Sequence, residues 1–94
     1  MNRIPSHPGK ILKEELAARR LSANRLSLDL AVPSGRIVEI LNCKRAVTPD
    51  TALRLGRYFG NAPQFWMNLQ VQYELAVVQR ERGAEIAARV KRAA

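Results

Sequence analysis

The stretch from Leu21 to Arg45, LSANRLSLDLAVPSGRIVEILNCKR, decides the fold. Ser22 can accept a backbone N–H and so caps a short predicted helix from Ala23 to Leu30, in which Leu26 and Leu30 stand four apart on one face. Val32 and Pro33 interrupt it, because a proline disfavours helical geometry in the residue before it and suits the first turn of a new helix. Ile37, Ile40 and Leu41 then stand at i, i+3 and i+4. That spacing predicts a further helix of about eight to ten residues ending near Asn42.

The flanks carry helix punctuation of the same kind. Pro8 and Gly9 open a first helix to Arg20, with Leu12, Leu16 and Ala17 as its apolar stripe. Thr48 as N-cap, Pro49 at the first helical position and Asp50 in the first turn make the clearest start in the chain. Leu53, Leu55 and Phe59 are read as the apolar side of that fourth helix, and Gly60 sits where a left-handed terminal residue is wanted. A fifth helix begins at Pro63, with Trp66, Leu69, Tyr73 and Ala76 spaced 3, 4 and 3; its cap is weak, since Ala62 has no side-chain oxygen. From Gln79 the run QRERGAEIAARVKRAA is charged, interrupted by Gly83, and has only Ile86 and Val90 as sizeable apolar residues. It reads as a frayed or detachable helix outside the core. Strand patterns are almost absent, so the expectation is an all-α fold: a five-helix domain over 1–78 with a dimerising last helix, and a basic C-terminal extension over 79–94.

Composition bounds what such a domain does. Ninety-four residues, 47% of them apolar, suffice for one core and exclude a multidomain enzyme. A lone Cys43 excludes an internal disulfide, and 5% aromatics disfavour a platform that stacks single-stranded bases. Met1 to Pro8 has no apolar leader core and no stretch approaches a membrane span. The expectation is a soluble, cytoplasmic protein without membrane contact. Sixteen basic against eight acidic residues give a net charge of +8 and a pI near 10.8, which points to a polyanionic partner. The charge is uneven: +5 over residues 1–45, zero over 46–78 and +3 over 79–94. The first half is therefore the expected polyanion face, and the neutral middle the core or a protein interface.

Two short helices across a turn of three or four residues, with one helix before and two after, form a helix-turn-helix DNA-binding arrangement. Leu21 to Arg45 resembles the lambda-repressor-like (XRE) helix-turn-helix family. HPGKILKEEL at His7 to Leu16, TALRLGRYFG at Thr51 to Gly60 and PQFWMNLQ at Pro63 to Gln70 narrow this to a resemblance to HigA-type antitoxins, covering about Ile4 to Val77. The resemblance implies a five-helix lambda-repressor-like domain with a C-terminal helical extension. It further implies a homodimer that binds a double-stranded DNA operator palindrome, represses its own operon and neutralises a RelE/HigB-like toxin that cleaves mRNA. The chain departs from the family pattern at Arg20, Ala31 and Cys43, where glycine is usual. Ala23 replaces a frequent Gln, and Gly35 and Val38 replace frequent Arg and Asn, so a base preference does not carry over.

In that geometry Ser34, Gly35, Arg36 and Glu39 at the start of the recognition helix are the candidates for base contact. Arg36 suits a bidentate bond to guanine and Glu39 the amino group of cytosine; the alternative is solvated side chains, or a surface pair of Arg36 with Glu39 at i+3. Gly35 lets the helix come close to DNA. Ser22, Asn24, Arg25, Asn42, Lys44 and Arg45 are the candidate phosphate contacts, and the last two have no acidic neighbours in sequence. Tyr73, Leu75, Val77 and Val78 are assigned to a dimer seam. Trp66 is read as core against the fourth helix, the alternative being a toxin-binding anchor. His7 is read as a surface residue at the mouth of the first helix, because one His and one Cys make no metal ligand set. No catalytic set or phosphate-binding glycine loop is present, so an enzyme, a cofactor or a metal is not expected. Two other readings stay open: a stand-alone repressor without a toxin, and an interaction module whose basic tail binds acidic partners or RNA.

Overall fold

The computed structural model describes residues 4–93; residues 1–3 and 94, the outermost parts of the two predicted regions, lie outside the described residues. Five helices succeed one another: α1 Pro8–Arg19, α2 Ala23–Leu30, α3 Ser34–Leu41, α4 Pro49–Phe59 and α5 Pro63–Arg89. No strand occurs among the described residues.

The starts follow from local chemistry. Ser22 Oγ accepts the Arg25 N–H at 3.0 Å and Thr48 Oγ1 that of Thr51 at 3.4 Å, each satisfying a donor that a helix leaves orphaned. Pro33 is the N-cap of α3 rather than its first helical residue, and neither it nor Ala62 caps through a side chain. His7 departs from expectation. Instead of lying on the surface it is buried, with 5% of its area exposed, and its Nδ1 accepts the Gly9 N–H at 2.9 Å as the N-cap of α1. Tyr73 of α5 meets its ring edge-on at 5.0 Å, a contact 66 positions away in the chain.

The helix ends are left-handed at Arg20 (φ 53°), Ala31 (φ 58°) and Gly60 (φ 76°), and Cys43, just beyond Asn42, is left-handed too (φ 60°). The three residues that stand at usual glycine positions therefore do adopt the conformation glycine favours. Each turn closes with paired bonds, as when Ala31 N–H donates to Leu28 O and Val32 N–H to Ser27 O.

The core holds Leu12, Leu16, Leu26, Leu30, Ile37, Ile40, Val47, Ala52, Leu55 and Trp66, drawn from every helix and from the α3–α4 loop. α1 and α2 both pack on α3, and α4 lies between α2 and α5. Two expected core residues are outside. Leu53 is 62% exposed, because Ala52, Leu55 and Gly56 turn inward and 53 falls off that face; Ala17 is exposed for the same reason on α1. At Gly9 the first turn of α1 lies directly on the end of α3, so a Cβ there would fall on the Ile40 carbonyl. Gln70 is buried and polar. Its Oε1 accepts the Val47 N–H at 2.8 Å and its Nε2 donates to Glu74 at 2.8 Å, which ties the α3–α4 loop to α5.

α5 runs unbroken through Gly83 for 27 residues, about 40 Å at 1.5 Å per residue. The expected interruption there is absent: α1 and α4 pack on the first part of α5, and its own backbone hydrogen bonds carry the rest. Its outer half stands in solvent and makes the molecule elongated, 51 × 25 × 21 Å. Among the described residues no helix is long and apolar enough to cross a membrane.

Candidate nucleic-acid interface

α3 divides its residues between two sides. Ile37 and Ile40 are fully buried, whereas Ser34, Gly35, Val38 and Glu39 are exposed and Arg36 is half-buried. A Cβ built on Gly35 would meet nothing within 4 Å, so the fold itself makes no demand for glycine at that position.

The arginines around α3 are tied to carboxylates. Arg36 Nη1 donates to Asp50 Oδ1 at 3.3 Å, and the same oxygen accepts Arg54 Nε at 2.8 Å. Arg54 Nη1 in turn donates to the Leu30 carbonyl at 2.8 Å and the Ala31 carbonyl at 3.4 Å, satisfying acceptors that the end of α2 would otherwise leave orphaned. The hydrogen bond from Arg54, then its charge and that of Arg36, hold the Asp50 carboxyl below its ordinary pKa. α2, α3 and α4 thus meet in one chain of polar contacts.

Glu39 pairs not with Arg36 but with Arg45, Oε1 to Nε at 2.7 Å. The left-handed turn at Cys43 brings the chain back on α3, which gives Arg45 an acidic neighbour that is absent in sequence. Lys44 and Asn42 are exposed beside it, and the Lys44 N–H donates to Glu39 O at 2.8 Å. On α2, Ser22 Oγ is engaged in capping, Asn24 is exposed, and Arg25 pairs with Asp29 at 3.3 Å; Tyr58 O–H also donates to Asp29, at 3.3 Å. Arg54 is a functional candidate that sequence reasoning misses. Its i, i+4 spacing from Asp50 is the one local signal, and the bond to α2 depends on the tertiary fold.

On α5, Trp66 is 1% exposed and tilts against Phe59 of α4 at 5.9 Å, while its Nε1–H donates to Asn61 at 3.1 Å. Trp66 is therefore core, as its spacing suggests. Of the four residues expected at a dimer seam, Leu75 (66%) and Val78 (44%) are exposed, and Tyr73 and Val77 are half-buried. Val71 joins them at 48%, so 71, 75 and 78 make one apolar stripe at helical spacing. Among the described residues no group of three or more His, Cys, Asp or Glu could hold a metal ion.

Virulence-associated protein I of Dichelobacter nodosus is 46% identical to the chain over 83 residues, 86% of this chain and 77% of that protein. An addiction module antidote protein of the HigA family from Coxiella burnetii superposes with a TM-score of 0.92 at 43% identity, covering 97% of this chain and all of that one. The antitoxin HigA of Pseudomonas aeruginosa, solved with the higBA promoter, superposes with a TM-score of 0.89 at 39% identity over 93% and 96% of the two chains. No family model matches. With both fold and sequence shared along nearly its whole length, the chain belongs to the HigA family of helix-turn-helix antitoxins.

Proposed function

We propose that the protein is a DNA-binding antitoxin and autorepressor that, as a homodimer, sets α3 of each protomer in the major groove of an operator palindrome. The observation that carries this is the outward side of α3. Ser34, Gly35, Arg36 and Glu39 lie there opposite a fully buried core side, and Gly35 has no packing reason to be glycine. A missing side chain near the helix start allows the backbone close to base edges. Kinship with a HigA solved on its promoter supports the same reading. Ser22, Asn24 and Arg25 on one flank, and Asn42, Lys44 and Arg45 on the other, contact phosphates and set the register. Ser22 does so through its backbone, since its hydroxyl is capping α2.

The apolar stripe on α5, with Tyr73, Leu75, Val77 and Val78, forms the two-fold seam. Such a dimer spaces its recognition helices by one DNA turn, about 34 Å. The partner toxin is an mRNA-cleaving protein of the RelE/HigB kind.

Salt titration tests the DNA reading. With three or four phosphates neutralised per protomer, affinity for a duplex from upstream of the coding region falls with a log–log slope of about −5 to −7. A slope near −1 overturns it.

A further inference from the structure

The polar chain that ends on Arg36 has a direction. It starts at the Leu30 and Ala31 carbonyls, which accept from Arg54; Arg54 grips Asp50, and Asp50 grips Arg36. Every link but the last is closed within α2 and α4. A guanidinium offers five N–H donors in a fixed fork, and Asp50 engages it through Nη1 alone. Donors remain for the two acceptors that a guanine presents in the major groove.

We propose that Asp50 is a specificity-determining positioning residue, which holds the Arg36 guanidinium in the one orientation that reads a base pair. The inference rests on the reading that α3 enters the major groove. Asp50 removes rotamer freedom from Arg36 before DNA arrives, so less entropy is lost on a matched contact and the ratio of operator to non-specific affinity rises. Its exposed carboxylate also opposes phosphates of any sequence alike, which lowers both affinities and leaves their ratio to the positioning of Arg36. Arg54 acts one step back, by anchoring Asp50 to the end of α2.

Fluorescence anisotropy at fixed salt, with a duplex from upstream of the coding region and a scrambled duplex of equal length, measures that ratio for the full chain. Asp50→Asn is expected to lower it about five- to tenfold, with affinity for the scrambled duplex unchanged or higher. Asp50→Glu, which keeps the carboxylate, restores most of the ratio. Asp50→Ser gives the same comparison if Asp50→Asn melts early. Arg36→Gln lowers the ratio by itself, and in that background Asp50→Asn has no further effect on it. A ratio unmoved by Asp50→Asn while Arg36→Gln lowers it overturns the positioning role alone, and so does an Asp50→Asn effect of equal size in both backgrounds. A ratio unmoved by Arg36→Gln overturns the base-contact reading together with it.

Discussion

The globular end of the molecule and the outer half of α5 are both helical, both basic and both laced with Arg–carboxylate pairs, yet their polar contacts differ in reach. The globular end has local pairs at i, i+4, such as Arg25–Asp29 and Arg54–Asp50, and adds contacts that join positions far apart in the chain: Arg36 to Asp50, Arg54 to the Leu30 carbonyl and the Val47 N–H to Gln70. In the outer half, Arg82 and Arg89 both pair with Glu85, at 3.4 and 3.8 Å, three and four residues away on the same helix. A local pair of this kind supports the helix it sits on by about 0.2–0.5 kcal/mol and positions nothing else. A long-range contact fixes two elements against each other, which is what the proposed groove-reading surface needs. Neither charge nor local pairing separates the two regions, and the long-range contacts do.

Glycine substitutions break or sharpen this comparison most strongly. A Cβ at Gly9 meets the Ile40 carbonyl, which is backbone and cannot swing away. Gly9→Ala is expected to force α1 and α3 apart, at a cost of about 3 kcal/mol or more in urea unfolding. At Gly83 the neighbour is only the flexible side chain of Gln79. Gly83→Ala should therefore stabilise α5, by up to about 1 kcal/mol. Equal effects of one sign would mean that the two regions do not differ in packing.

His7 sits where the two regions join, and its effect is smaller and depends on pH. Burial lowers its pKa from the ordinary 6.5, with Lys10 adding to the effect and Glu74 opposing it. The folded chain favours the neutral ring, whose Nδ1 must stay unprotonated to accept the Gly9 N–H. The unfolded chain takes up the proton first as the pH drops below 6.5. Stability is thus full above that value and declines as the pH falls toward the lower, folded pKa. A melting temperature that decreases from pH 7.5 to pH 5 is expected. In His7→Asn, which caps without titrating, that part of the decrease should vanish. An identical pH profile in the variant would show that the cap at the α1–α5 junction does not respond to protons.

The features legible in the sequence divide in the same way. Ser22, Thr48, Pro49 and Gly60 act on neighbours within four residues, and each performs the role its local pattern predicts. The core side of α3 is equally plain from Ile37 and Ile40, so the surface that faces away from it can be named residue by residue. Local spacing puts His7 on the surface because the residue that covers it, Tyr73, stands 66 positions on. Arg45 lacks a carboxylate in sequence and gains one because the turn at Cys43 returns it to Glu39. Gly83 has the look of a break, although one glycine costs a helix only about 1 kcal/mol and its hydrogen-bonded neighbours absorb that. Leu53 shows the limit of spacing arguments on a short helix, where several apolar faces compete and only packing selects one.

The smallest expected effect concerns strain, which also separates the two regions. Every left-handed residue among those described, Arg20, Ala31, Cys43 and Gly60, lies before α5. Ala31 and Cys43 carry a Cβ in a conformation that costs about 1–2 kcal/mol for a non-glycine residue. The surrounding turns hold both in place: Ala31 and Val32 donate back into α2, while Cys43 and Lys44 donate back into α3. Glycine removes that penalty, but it also loosens the unfolded chain by about 0.4–1 kcal/mol. The difference is a net effect between zero and a gain of about 1.5 kcal/mol for Ala31→Gly and for Cys43→Gly, read as an unchanged or higher melting temperature in each. A lower melting temperature in both would mean that the αL residues are not strained where they stand, and that contacts of the Ala31 methyl and the half-buried Cys43 thiol outweigh the backbone. The two sites are independent enough to add, since one closes α2 and the other comes after α3. A double variant that gains less than the sum would therefore show that the ends of α2 and α3 share one constraint, of the kind the Arg54–Asp50–Arg36 chain imposes between the end of α2 and the start of α3.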